Sequence, residues 1–200
     1  MKITAIKQQQ KRADRYSVFV EGKYTFSLSE AALLELKLAS GQELSPEQAK
    51  EFKKISADDK LYNQTLRWAA MRLRTKWEVE TYLERKQASP ALIEYILNKL
   101  SNIELVNDEK FAKAFVNDRQ LLRPTSRRKL ILELHKKHVG DELIRKVMEG
   151  HEPEDEQAAL SSIIERKRRQ SRYEDDLKLM QYLARQGFNY DNIKSALGKK

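Results

Sequence analysis

Residues 75–86 read TKWEVETYLERK, and the same phasing returns as SRRKLILELHKK at 126–137 and as DDLKLMQYLARQ at 175–186. Setting Leu83 over Leu134 and Leu183 also sets Val79 over Leu130 and Leu179. Carried forward without a gap, the register stacks Ile93 on Ile144 and Ile193, Ile96 on Val147 and Ala196, and Leu97 on Met148 and Leu197. All five columns are apolar in every copy. At 40 % apolar content chance would make a given column so about 6 % of the time, and the period is close to the roughly 40 to 50 residues of helical repeats.

Each copy reads as three helices: an opening one, a second carrying the aligned leucine, and a third, after a turn, carrying the aligned isoleucine. Apolar residues four apart put one stripe inward. Thr75, Ser126 and Asp175 share a column suited to helix N-caps, with a full capping box at Thr75 and Glu78, and Ser89-Pro90 and Asn107-Asp108-Glu109 open further helices. Three short helices bury too little apolar surface alone, so neighbours must share it, which predicts a curved solenoid of units at 59–106, 107–150 and 151–200.

Outward toward the N-terminus the period changes from helical to two. Tyr16, Val18 and Val20 alternate with Ser17 and Phe19, Glu21-Gly22 makes a tight turn, and Tyr24, Phe26 and Leu28 follow. Lys2 to Lys7 reads as a candidate third strand. Ser29 to Leu38, ended by Gly41, reads as a short covering helix, and Ser45-Pro46-Glu47-Gln48 opens another with an N-cap, a proline and a capping-box partner. Residues 1–58 are thus expected to form a β-hairpin and helical cap on a mainly all-α chain.

Six glycines and four prolines among 200 residues, against 34 % charged side chains, suit long helices with solvated faces. There is no cysteine, which excludes disulfides, thiolate nucleophiles and Cys-based metal sites. Neither a signal peptide nor a run of about 20 apolar residues is visible, so the expectation is a cytoplasmic protein without a membrane partner. The net charge of +9 favours polyanionic partners.

Four stretches carry a resemblance to a known family: Arg15-Tyr16 with its hairpin; Arg72-Leu73-Arg74-Thr75 leading to Glu78-Val79 and Tyr82-Leu83-Glu84-Arg85-Lys86; Asn107-Asp108-Glu109-Lys110-Phe111-Ala112; and Ser126-Arg127-Arg128-Lys129-Leu130 with Glu133-Leu134. In this order, on this repeat, the chain resembles the RecX family over essentially its whole length. The resemblance implies tandem three-helix modules with no catalytic site and no cofactor, at work in DNA repair, homologous recombination and the SOS response; a monomer is the separate expectation. It further implies binding in the groove of a RecA–DNA filament, with contact to single- and double-stranded DNA, restraining the recombinase and ATPase activities of RecA. The leading alternative is a sequence-nonspecific DNA- or RNA-binding repeat protein with no recombinase partner. The third unit departs from the pattern where Gln186 replaces Lys86 and Lys137, and the second where Glu133 replaces Tyr82 and Tyr182.

The densest charge lies between Arg119 and Lys137, where Arg119, Arg123, Arg127, Arg128, Lys129, Lys136 and Lys137 face one acid, Glu133, for a net +6. Leu130 and Leu134 turn inward, which leaves Arg128, Leu132 and Lys136 as an outer stripe able to meet phosphates. A solvated helix face explains the same pattern. Arg166-Lys167-Arg168-Arg169 with Arg172 is a second basic run, while Arg72, Arg74, Lys76, Arg85 and Lys86 are offset by Glu78, Glu80 and Glu84. The residues expected to meet RecA or DNA are the five of the first unit, the seven of the second, and Arg168, Arg169 and Arg172.

Trp68, Trp77, Tyr62, Tyr82, Tyr95, Phe111, Phe115 and Tyr182 have spacings suited to helix interiors, so core is expected rather than base stacking. His135 and His138 lie three apart without an acid to complete a metal set. The acidic pairs Asp58-Asp59, Asp108-Glu109 and Asp175-Asp176 read as helix-start residues that complement the macrodipole. No Gly-rich phosphate loop or nucleophile elbow is present, and a non-enzyme is expected.

Overall fold

The computed structural model describes residues 1–150 and 153–198. The chain opens with three antiparallel strands, β1 (Ile3–Gln9), β2 (Arg12–Val20) and β3 (Lys23–Ser29), in the order β1-β2-β3. The third strand at the N-terminus does form. In the β2–β3 turn Glu21 and Gly22 both have positive φ, 50° and 73°, as the hairpin twist demands. Val18 pairs with Phe26 and Tyr16 with Leu28, and the inward face joins Ile3, Val18, Val20, Phe26 and Leu28 to Leu38 and Leu44.

The helix α1 (Glu30–Glu35) starts at the Ser29 N-cap but stops short of Leu38, because Lys37 already takes the left-handed conformation, φ 49°. Next, α2 (Pro46–Ala70) carries the expected capping box between Ser45 and Gln48. It runs without interruption through residues 58 and 59, where a boundary between cap and first repeat is expected. Asp59 therefore lies mid-helix and is no helix-start residue. Its carboxylate meets Arg15 at 3.0 Å with both side chains buried, and accepts the Ser29 N–H at 2.9 Å. Arg15 also donates to the Ser27 carbonyl at 2.8 Å. A buried guanidinium and carboxylate so fully bonded lock sheet to helix, and removal of either would strand the other.

The remaining helices are α3 (Lys76–Arg85), α4 (Pro90–Asn102), α5 (Asp108–Leu122), α6 (Arg127–His135), α7 (Asp141–Met148), α8 (Pro153–Arg168), α9 (Asp176–Arg185) and α10 (Tyr190–Ala196), with a 3-10 turn at Ser171–Tyr173 before α9. The chain divides into two compact units, Met1–Arg72 with Gln87–Leu100, and Leu73–Lys86 with the chain from Ser101 onward. The sheet, α1, α2 and most of α4 thus lie in the first; α3 and α5 to α10 lie in the second. Residues 151–152 and 199–200 of the third expected repeat lie outside the described residues.

The repeat columns hold at their centre. Leu83, Leu134 and Leu183 are each 0 % exposed, and Val79, Leu130 and Leu179 are fully buried with them. Thr75, Ser126 and Asp175 all accept a backbone N–H at the start of α3, α6 and α9. The isoleucine column is uneven: Ile144 and Ile193 are buried, whereas Ile93 is half-buried and α4 buries Ile96 and Leu100 instead. The reason is length. With thirteen residues against eight in α7 and seven in α10, α4 can place its buried stripe one turn later. Around α5, α6 and α7 the core gathers Phe111, Val116, Leu130, Leu134 and Ile144; around α8, α9 and α10 it gathers Leu160, Ile163, Leu179, Leu183 and Ile193. Among the described residues no helix is long and apolar enough to cross a membrane.

Candidate functional site

Consecutive leucine helices of the second unit meet their successors through contacts that recur one module on. The N–H of Lys76 at the start of α3 donates to Asp108 Oδ1 at 2.8 Å. At the start of α6, one copy later, the N–H of Arg127 donates to Glu156 Oε1 at 3.2 Å. Within α3, Glu78 receives Lys137 Nζ at 2.8 Å; in α6 the equivalent residue, Lys129, donates to Gln186 Oε1 at 2.6 Å. Trp77 stacks on His138 with ring centroids 4.1 Å apart, and its counterpart Arg128 lies over Gly187. Gln87, His138 and Gly187, four residues after the aligned leucines, all have positive φ: 60°, 55° and 90°. The geometry repeats while the chemistry is exchanged.

These contacts sort the cations expected to bind. Arg74 is buried, 8 % exposed. Arg127 donates to the Met148 carbonyl at 2.7 Å, which seats it at the negative C-terminal end of α7. Lys137 and Lys129 are held by Glu78 and Gln186. Arg168 donates to the Glu174 carbonyl at 2.8 Å and pairs with Asp176, while Arg169 pairs with Glu165 along α8 and Arg172 lies over the Tyr173 ring. Arg72, Lys76, Arg85, Lys86, Arg123, Arg128 and Lys136 are exposed to solvent, as are Arg168, Arg169 and Arg172 despite their contacts. Arg128 and Leu132 on α6 and Lys136 at its C-cap are all exposed.

One cleft gathers cations from several elements. Its volume is about 340 Å³, and its lining includes Arg119, Arg123, Lys129 and Arg166 with the single acid Glu133, beside Pro124, Thr125, Ile163, Tyr182 and Gln186. Arg119 is fixed there: its Nε meets Glu133 at 2.8 Å, and its guanidinium lies 4.6 Å from the Phe115 ring centroid. Arg166 and Tyr182 were not expected to share this place with Arg119. The basic run at 166–169 is the only sequence signal for Arg166, and its direction depends on the phase of α8.

Of the eight aromatics expected in the core, Phe111 is buried, but Trp77 and Tyr95 are exposed and the other five are half-buried. Cations cover several faces: Lys86 over Tyr82, Lys99 over Tyr62 and Tyr95, and Lys167 over Tyr182. A hydrogen bond with Tyr95 holds Lys99 above the ordinary lysine pKa. An aromatic body with a polar edge is satisfied at such half-wet positions. His135 lies 3.4 Å from Asp141, whereas His138 is committed to Trp77. Glu109 on α5 joins Lys113 at 2.8 Å and Lys146 of α7 at 3.0 Å, and these hydrogen bonds lower its pKa to about 2.

Comparison with known proteins falls on one family. Residues 1–45 match the family model for the regulatory protein RecX N-terminal domain, 107–148 that for the second RecX three-helix domain, and 154–197 that for the third. The chain is 31 % identical to the regulatory protein RecX of Caldanaerobacter subterraneus subsp. tengcongensis over 98 % of both chains. It is 27 % identical to that of Bacillus subtilis over 98 % of this chain and 75 % of the relative. With the protein of Listeria monocytogenes serovar 1/2a it shares 32 % identity, over 77 % of this chain and 57 % of the relative, so several relatives are considerably longer than the matched stretch. Two solved structures share the fold: a crystal structure of regulatory protein RecX, with a TM-score of 0.77, 23 % identity and 99 % coverage of both chains, and RecX from Lactobacillus salivarius, with a TM-score of 0.61, 25 % identity, and coverage of 70 % of this chain and 94 % of that one.

Proposed function

The chain belongs to the RecX family, and from that membership we propose that it regulates a RecA recombinase by binding the RecA–DNA filament, restraining strand exchange and ATP turnover. It acts as a regulator in the cytoplasm, in DNA repair and recombination, and carries out no chemistry of its own. The observation that carries this reading is the cation distribution of the second unit. Arg128 on α6 and Lys136 at its C-cap are both exposed, and Arg119, Arg123, Lys129 and Arg166 converge on one cleft.

Guanidinium forks and ammonium groups so placed suit phosphate oxygens or an acidic protein surface, with counterion release supplying much of the affinity. Regulation then follows from differential binding. A protein that binds one filament conformation better than another shifts the population toward it, by no more than the ratio of its two affinities. DNA contact through phosphates is independent of sequence, so single and double strands are both partners.

Pull-down of RecA on ssDNA, with and without nuclease, tests the reading. Retention of RecA that survives nuclease and weakens with the Arg128→Glu/Lys136→Glu variant is the expected result. RecA retained only through intact DNA would favour a nonspecific nucleic-acid binder, and no retention in either condition would refute the proposal.

A further inference from the structure

The cleft between α5, α6, α8 and α9 has more form than a surface needs for touching a DNA backbone. Exposed cations such as Arg128 and Lys136 suffice for contacts to phosphates along a strand. A cavity of about 340 Å³ falls in the range of small-ligand pockets, roughly 300–1,000 Å³. Its four cations come from separate places: Arg119 and Arg123 at the end of α5, Lys129 in α6, and Arg166 near the end of α8. Glu133 is engaged by Arg119 Nε, which leaves the two terminal amino groups of that guanidinium for an incoming acceptor. The charge of the cleft is therefore strongly positive.

Two of the cations are already immobilised. Arg119 is held between Glu133 and Phe115, and Lys129 by Gln186, so a ligand gains their charge with little further loss of side-chain freedom. The lining also holds apolar and aromatic residues. Ile163 is buried, Pro124 stands beside it in the lining, and the Tyr182 ring is propped by Tyr173 at 5.2 Å between centroids. Lys167 lies 4.7 Å from the Tyr182 centroid as well, so the cations suit an anion and the remaining edge or face of Tyr182 suits the group attached to it.

We propose that this cleft is a binding pocket for a single phosphate-bearing nucleotide unit, with Arg119, Arg123, Lys129 and Arg166 on the phosphate and Tyr182 against the sugar or base. The proposal deepens the phosphate-binding reading of the second unit and rests on it. The unit can belong to a DNA strand or to a free nucleotide, since the chemistry at the cleft is the same. Charge-assisted contacts to phosphate and stacking on an aromatic ring are the two recognised means of holding it.

The test is titration of the full chain with dTMP, followed by the 31P resonance, with thymidine as the phosphate-free control and the Arg123→Glu/Arg166→Glu variant beside the wild type. Both substituted residues are exposed, so the variant is expected to melt with the wild type. The expected result is dTMP binding, none by thymidine, and weakening by about tenfold or more in the variant. Competition between dTMP and labelled oligothymidylate identifies the strand as the source; dTMP binding without competition identifies the free nucleotide. Wild type that ignores dTMP, or a variant that binds it equally well, overturns the proposal whatever the oligonucleotide does. A chain that binds dTMP but leaves RecA unaffected would keep the pocket and lose the regulatory role.

Discussion

Gly187 lies so close to Ser126 that a Cβ built on the glycine would stand 2.7 Å from the serine Oγ. That hydroxyl accepts the Lys129 N–H at 3.2 Å and donates to the Gln186 carbonyl at 2.7 Å. One side chain thus caps α6 and fastens the end of α9 to it. Gly187 also has φ +90°, so the position excludes a side chain twice over. Gly187→Ala is expected to cost roughly 2–3 kcal/mol, from the left-handed backbone and the contact together. Chemical denaturation measures it, and a loss below about 0.5 kcal/mol would mean that α6 and α9 do not meet as described.

Gln87 occupies the equivalent column with φ 60° and is exposed. Gln87→Gly is expected to stabilise the protein by about 0.5–1 kcal/mol, the relief of the left-handed conformation less the added freedom of the unfolded chain. An unchanged or lowered melting temperature would argue against that backbone.

Glu78 and Lys137 meet at 2.8 Å with side chains 11 % and 36 % exposed. Single reversals, Glu78→Lys or Lys137→Glu, are each expected to destabilise, while the double reversal recovers part of the loss. A double-mutant cycle should give a coupling near 1 kcal/mol. Zero coupling would remove this contact from the junction.

Acid should act through Glu109. Hydrogen bonds from Lys113 and then Lys146 lower its pKa to about 2, against roughly 4.3 in an unfolded chain. A depressed carboxylate contributes stability that is present above the unfolded value and is lost as pH falls through the folded one. Wild type should therefore lose stability relative to Glu109→Gln as pH falls from about 4.5 toward 2, by a small amount that salt reduces. Parallel pH profiles for the two proteins would contradict this.

How much of this was legible in the sequence depends on whether a feature is local. Thr75, Ser126 and Asp175 could be read as caps because a short polar side chain acts on its own next turn. Leu83, Leu134 and Leu183 could be read as core because burial imposes a period. The junction contacts could not be read so, because Glu78 with Lys137 becomes Lys129 with Gln186 one copy on, and neither column keeps its residue type: the lysine changes sides. Nor does residue type announce a left-handed Gln87 or His138; only Gly187 carries a signal. For the cations, sequence supplied the charge but not the commitment. Arg127 looks like its neighbour Arg128 until α7 supplies the Met148 carbonyl, and Arg74 looks exposed until it is found buried.

The central proposal, that the cationic face of the second unit engages a RecA–DNA filament, meets its most direct test in RecA ATP hydrolysis on single-stranded DNA, titrated with the protein and with Arg128→Glu/Lys136→Glu. Both residues are exposed, and because Arg128 also lies over Gly187, a thermal melt beside the wild type checks that the variant keeps its fold. The prediction is a saturable fall in turnover with wild type and a concentration dependence shifted by about tenfold or more for the variant. Turnover unmoved by the wild type, or moved equally by both proteins, would contradict it.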